Sequence, residues 1–274
     1  VMNVVTLGPA GTYSHRAARA VADEVSFRES VTAIVAAVDE GEFDRGVVPI
    51  ENSIEGSVTE SLDALADREV AVVREVVTPI RHALLAQAEE FDVVASHAQA
   101  LAQCRSYLEA NYPDVTQEAV ASTARGVERA REDSRVAGIG HPDNATGGEG
   151  EPDLRVLAED IQDRSSNATR FLVVAPEHAR SDAGGKTTIV VYPNANYPGL
   201  LLEMLEAFAD RDVNLSRIES RPSGDRLGDY LFHFDVEAGL YESRTQEAVA
   251  ALRELVAADG WVRVLGSYDT EHVV

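Results

Sequence analysis

The sequence predicts an α/β protein in two parts. Short apolar runs alternate with helical patterns over its first two thirds, which is the mark of βαβ units and a parallel sheet. A polar stretch over residues 177–185, closed by Gly184 and Gly185, interrupts that rhythm and reads as a linker. Beyond it the order becomes strand, helix, strand, strand, helix, strand, the ferredoxin-like unit. The expected domains are therefore 1–178 and 186–274.

Residues 4–7 form a buried strand that runs into a turn, Gly8-Pro9-Ala10-Gly11-Thr12-Tyr13-Ser14, and an Ala-rich helix to about Ala22. Ser30 suits the N-cap of a helix ending at Gly41. Strand 47–50 leads into the turn at Glu51-Asn52-Ser53, and a helix covers 58–65. Strands are expected at 70–77, 83–86 and 91–95, the last feeding a helix over 99–110. Residues 118–121, a helix from Thr123 and strand 136–139 repeat the theme, and an aromatic strand covers 171–174. In the second part, strands fall at 187–192, 213–220, 230–236 and 262–265, with helices over 199–209 and 245–257. Leu201, Met204, Leu205 and Phe208 share one stripe of the first of these helices.

Charge narrows the function classes. The 274 residues include 47 acids against 24 bases, a net charge of −23. A nucleic-acid binder needs a basic face, and an anionic membrane surface would repel this chain, so neither partner is expected. Lys186 is the only lysine; every other base is arginine. An acidic, lysine-poor surface points to a halophilic protein, kept soluble in concentrated salt that screens self-repulsion. Arginine-rich codon usage with an ordinary acidic surface is the alternative. Cys104 stands alone, so an internal disulfide framework and a cysteine-rich zinc site are excluded. No run approaches 18 apolar residues and no leader pattern opens the chain, so a cytoplasmic location is expected.

Ligands of α/β sheets gather where strand C-termini meet helix N-termini, and four such places carry useful side chains. The turn 8–14 lacks the lysine of a nucleoside-triphosphate loop, but its free N–H groups, with Thr12 and Ser14, suit a carboxylate; helix capping is the simpler reading. Asn52 and Ser53 offer neutral hydrogen bonds past a strand end, or bond their own turn. His97 and Gln99 open a helix whose N-terminus favours neutral imidazole, suited to a ligand contact; a capping or packing histidine is the simpler reading. Asn167, Thr169, Arg170 and Phe171 form the sharpest segment, where a polar patch stops at an aromatic strand and the Arg170 fork matches a carboxylate. A strand start with an arginine among abundant acids fits the same residues. His141 has no second ligand at metal spacing, so neither metal nor cofactor is expected.

Taken in order, GPAGTYS at 8–14, VPIENSIEGSV at 48–58, SHAQALAQC at 96–104 and NATRF at 167–171 resemble the prephenate dehydratase family. The last third resembles the ACT regulatory domain of those enzymes, with NLSRIESRP at 214–222 similar to its effector motif. The resemblance implies a two-lobed, periplasmic-binding-protein-like catalytic domain followed by the ACT domain. It implies loss of CO2 and water from prephenate, with Thr169 as catalytic hydrogen-bond donor and Thr12, Ser14, Asn52, Ser53, His97, Gln99, Asn167, Arg170 and Phe171 binding substrate. For the effector phenylalanine it implies Gly199, Leu200, Leu201, Asn214, Leu215, Glu219, Ser220, Arg221 and Pro222, and a homodimer or homotetramer joined through ACT domains. Departures from the family pattern are Ala98 in place of proline, Leu200 in place of alanine, and a segment 141–150 richer in glycine than a regular helix there would be. Two rivals stand beside this reading: an arogenate dehydratase, which would need a contact for an ammonium group, and a non-catalytic amino-acid sensor.

Overall fold

The computed structural model describes residues 2–148, 150–224 and 227–273. Val1 and Val274, the outer ends of the two expected domains, lie outside the described residues. In chain order the elements are β1 (Val4–Leu7), α1 (Tyr13–Arg19), β2 (Val25–Arg28), α2 (Val31–Asp39), β3 (Arg45–Asn52), β4 (Gly56–Ser57), α3 (Thr59–Asp67) and β5 (Val70–Pro79). There follow β6 (Ala83–Ala86), β7 (Val93–His97), α4 (Ala98–Gln103), α5 (Arg105–Asn111), β8 (Thr116–Val120), α6 (Thr123–Glu132), β9 (Val136–Gly140), β10 (Arg155–Ala158) and β11 (Ala168–Pro176). The last part holds β12 (Lys186–Tyr192), α7 (Leu200–Ala209), β13 (Leu215–Pro222), β14 (Tyr230–Val236), α8 (Ser243–Leu255), β15 (Trp261–Tyr268) and β16 (Thr270–His272).

The chain divides into two compact units. One comprises Val1–Leu7, Ala17–Val77 and Arg170–Val274; the other comprises Gly8–Arg16 and Thr78–Thr169. The first unit holds two sheets. Its larger sheet runs β16-β5-β11-β3-β1-β2, with β4 hairpinned onto β3. β1 pairs parallel with both β2 and β3, as expected of βαβ units. The smaller sheet runs β13-β14-β12-β15 and is antiparallel throughout, with α7 and α8 on one face.

Period-two alternation explains how these two sheets share a core. Ile189, Val191, Phe234, Val236 and Val264 pack with Met204, Phe208, Val249 and Leu252 of the two helices. Residues of the opposite register on the same three strands, Val190, Leu231 and Leu265, join Leu62, Leu65, Val70 and Val72 of the larger sheet's layer. A ferredoxin-like sheet has helices on one face only; here the bare face is covered by α3 and β5. The approach is close at Gly266, where a Cβ would lie 2.3 Å from the Val72 carbonyl oxygen. The C-terminal end then returns to the larger sheet as β16, parallel to β5.

The second unit is built on the sheet β10-β6-β9-β7-β8. β7 pairs parallel with β8 and β9, while β6 runs antiparallel to β9 and β10. The helix expected over 99–110 is broken in two. Cys104 caps the first piece with φ −110° and ψ 14° and is fully buried. Leu101, Cys104 and Leu108 all enter one core, and the break lets both pieces face it.

Candidate functional site

The turn after β1 shows capping at work. The Thr12 hydroxyl accepts from the His15 N–H at 3.2 Å and donates to the Pro9 carbonyl at 3.0 Å, while His15 Nδ1 accepts from the Gly11 N–H at 3.0 Å. Thr12 therefore closes the first turn of α1. Gly11 sits at φ +81°, in the left-handed region that favours glycine, and its carbonyl accepts from Asn144 Nδ2 at 2.8 Å.

Tyr13, one residue on, points into a buried polar cluster. Its hydroxyl donates to the Arg81 carbonyl at 2.5 Å, and its ring meets His82 and His141 edge-on. Burial holds the Tyr13 hydroxyl well above its ordinary pKa, so it stays a donor. Gln103 Oε1 accepts from Asn167 Nδ2 at 3.2 Å and lies 2.9 Å from His82 Nε2. An amide oxygen only accepts, so Nε2 carries the His82 proton. Burial lowers the His82 pKa and keeps the ring neutral. The chain His82–Gln103–Asn167 thus fixes the buried Asn167, whose carbonyl takes the Ile80 N–H at 2.8 Å. Asn167 stands two residues before Thr169, the second residue of β11.

His97 caps α4, its Nδ1 accepting from the Gln99 N–H at 3.4 Å, and its ring is exposed. Ser96 is turned inward and donates to the Ile139 carbonyl at 2.7 Å. In the first unit, Asn52 Oδ1 accepts from the N–H groups of Ile54 and Glu55 at 2.9 and 3.3 Å, an Asx turn that binds its own backbone. Ser53 is exposed beside it.

Arg170 is placed differently from its expected role. Its guanidinium donates to Glu51 at 3.3 Å, Glu75 at 2.6 Å and Asp235 at 2.6 Å. The fork that matched a substrate carboxylate in the sequence is held by three carboxylates of the protein. Phe171 is fully buried. Glu75 and Asp235, absent from the sequence reading, had one available signal: each is an acid inside an apolar strand, in VAVVREVV and YLFHFDV. Among the described residues no group of three or more His, Cys, Asp and Glu could hold a metal ion, and no helix is long and apolar enough to cross a membrane.

Comparison with known proteins decides the family. Residues 4–179 match the model of the family described as prephenate dehydratase. The chain belongs to the prephenate dehydratase family. Residues 194–256 match the ACT domain model. A prephenate dehydratase of Lactococcus lactis is 35% identical over 97% of this chain and 97% of its own length. A bifunctional chorismate mutase/prephenate dehydratase of Aquifex aeolicus is 37% identical over 97% of this chain and 73% of its own. The crystal structure of an Arthrobacter aurescens prephenate dehydratase in complex with L-Phe superposes with a TM-score of 0.85 at 37% identity, covering 97% of this chain and 90% of the other. The family consists of carbon–oxygen lyases, and the fold is the two-part α/β architecture with a C-terminal ACT domain.

Within the ACT domain of this prephenate dehydratase family member, Gly199, Leu200 and Leu201 line a cavity of about 350 Å³ together with Asn196, Gly228 and Phe232. Gly199 adopts φ +100° at the N-cap of α7, and a Cβ there would meet nothing within 4 Å. The motif 214–222 lies elsewhere. Asn214 bonds Glu237, Leu215 packs on the domain's core, Glu219 and Arg221 turn toward Ser57 and Asp63, and Ser220 and Pro222 are exposed.

Proposed function

We propose that this chain converts prephenate to phenylpyruvate, and that phenylalanine bound to the ACT domain lowers its turnover. The observation that carries the reading is the family match across residues 4–179, with Thr169 at the start of β11 beside an asparagine fixed by a buried amide–imidazole chain. In the reaction the bond between the ring and its carboxylate breaks and CO2 leaves. The freed electron pair enters the ring, the C4–oxygen bond breaks, and the departing hydroxide takes up one proton to become water. The drive is aromatisation.

Threonine is too weak an acid to surrender its proton fully at neutral pH. Thr169 instead donates a hydrogen bond that strengthens as the leaving oxygen gains charge, and the proton comes from solvent. Thr12, Ser14, His97, Gln99 and Asn167 are proposed as neutral contacts for substrate oxygens. Arg170, whose guanidinium is already engaged, is assigned to holding the strand. The effector is proposed to occupy the cavity at Gly199, where a missing side chain admits close approach of a ligand to backbone. The reading also favours a cytoplasmic homo-oligomer joined through ACT domains.

Purified protein incubated with prephenate should yield phenylpyruvate, followed by its enol absorbance in base, and phenylalanine should depress the rate. A parallel arm with arogenate separates the two substrates. No product from either arm would leave only amino-acid sensing.

A further inference from the structure

The charged cluster around Arg170 lies between β11 and the ACT sheet and joins residues far apart in sequence. Asp235, on β14, is fully buried. Its carboxylate accepts from Arg170 Nη2 at 2.6 Å, Arg217 Nε at 2.8 Å and Thr188 Oγ1 at 2.8 Å. Glu75, on β5, is buried too and accepts from Arg170 Nη1 at 2.6 Å, Lys186 Nζ at 2.8 Å and Thr270 Oγ1 at 2.8 Å. Burial raises the Asp235 pKa, but Arg217 and Arg170 outweigh it and hold the carboxyl well below the usual range. Arg217 and Thr188 come from β13 and β12, the strands flanking β14. Three of the four ACT strands, β12, β13 and β14, therefore converge on one carboxylate that grips Arg170.

Such a cluster is stiff. Hydrogen bonds in low dielectric are strong, and a buried charge stripped of its partner is costly, so the members move together or not at all. Arg170 directly follows Thr169 on β11, and neighbouring strand residues point to opposite faces. Gripping Arg170 from the ACT side fixes the backbone that presents Thr169 on the other face.

We propose that Asp235 is a positioning residue for the reaction: through Arg170 it sets the strand start that carries Thr169, and it transmits the state of the ACT sheet to that threonine. The proposal rests on the reading of Thr169 as the donor. The test compares wild type, Thr169→Val and a charge-balanced double variant, Asp235→Asn with Arg217→Met, which removes one buried charge of each sign. Near-ultraviolet circular dichroism and thermal melts fix the folded fraction at the assay temperature. Turnover per folded molecule in the double variant should fall at least tenfold, with KM within about threefold of wild type. Calorimetry should still show phenylalanine binding, while the ratio of inhibited to uninhibited turnover, which does not depend on the folded fraction, moves toward one. Wild-type turnover in the folded double variant overturns the proposal, even if Thr169→Val is inactive. Wild-type turnover in Thr169→Val sinks the donor reading instead. Should the double variant fail to fold, Thr188→Val removes the hydrogen bond to Asp235, together with the 2.6 Å contact of Thr188 Oγ1 with the Tyr268 hydroxyl, without changing charge, and Tyr268→Phe, which removes only the latter, serves as its control. A several-fold loss of turnover with unchanged KM supports the proposal, and no loss overturns it.

Discussion

At the scale of single residues, the proposed chemistry turns on a hydroxyl. Thr169→Val keeps the β-branched shape that suits β11 and removes only the donor. Loss of one donor to a developing oxyanion costs about 100- to 1000-fold in rate. Turnover of the variant should fall by that order, with KM changed a few-fold at most, in steady-state assays; wild-type turnover would take Thr169 out of the mechanism. The sequence singles out Thr169 because its neighbours form a motif, but it does not show the residues that hold Asn167 beside it. Gln103 accepts from Asn167 across a separation of 64 residues and takes the His82 ring across 21, which no local pattern encodes. Arg170 follows the plainer of its two readings, an arginine paired with acids. Its type and place at a strand entrance suggested a free fork, but its partners are 119, 95 and 65 residues distant, and only the fold brings them in. Thr12 and Asn52 likewise follow their plainer readings, since capping and turn formation are what their side chains perform in the structure.

At the scale of elements, buried strands announced themselves, while the edge strands β2, β10 and β16 did not. β1, β5, β6 and β9 are apolar runs because one or both faces are covered. β2 and β10 are partly exposed, and β16, Thr-Glu-His, carries no apolar residue at all. The sequence also hid how closely α6 lies on its sheet. A Cβ on Gly126 would stand 2.4 Å from the Ala95 carbonyl oxygen and 2.8 Å from the Ser96 Cα, both backbone atoms that cannot turn aside. Gly138 on β9 makes the reciprocal fit, its missing Cβ falling 2.7 Å from the Gly126 carbonyl oxygen. Glycine is a poor helix former, so its place in the middle of α6 is explained by this contact rather than by propensity. Gly126→Ala gains about 1 kcal/mol in helix propensity but must push α6 off β7, and overpacking costs about 1 to 3 kcal/mol or more. The expected outcome is a net loss of stability in chemical denaturation. Since β7 ends in Ser96 and His97, turnover should fall with it. A variant as stable as wild type or more so would mean that the close packing of α6 on β7 relaxes freely.

At the scale of the whole molecule, charge sets the conditions under which the fold persists. His141 and His233 are buried, and burial pushes both pKa values down to about 4 from an ordinary 6.5. The folded chain thus binds fewer protons there than the unfolded chain. The stability this confers is complete above about pH 6.5 and is lost as pH falls from there toward 4, by about 1 kcal/mol per histidine between pH 7 and 5.5. Denaturation curves at those two values, taken in 1 M KCl to damp surface effects, should show the drop; flat stability would mean that the two rings take up protons as readily in the fold as in the unfolded chain. Salt acts through the remaining charge. A net charge of −23 repels itself and opposes a dianionic substrate, and both effects reach through solvent. The Debye length shrinks from about 10 Å at 0.1 M to about 3 Å at 1 M, so both penalties fade. The attractive pairs divide by depth. Exposed ones such as Arg135–Asp92 and Arg155–Glu89 weaken with salt, but they are worth little to begin with. The pairs of Arg170 and Arg217 with Asp235, and of Lys186 with Glu75, are shielded from ions by burial and persist. The single lysine belongs to that inner group, which leaves arginine as the base of the outer surface. Screening therefore removes more repulsion than attraction. Melting temperature and turnover should both rise from 0.1 M to at least 1 M KCl, read by thermal scans and prephenate assays at fixed pH. Maxima of both at 0.1 M, with a steady fall above it, would show that the acidic surface is no adaptation to salt and that the arginine bias follows codon usage alone.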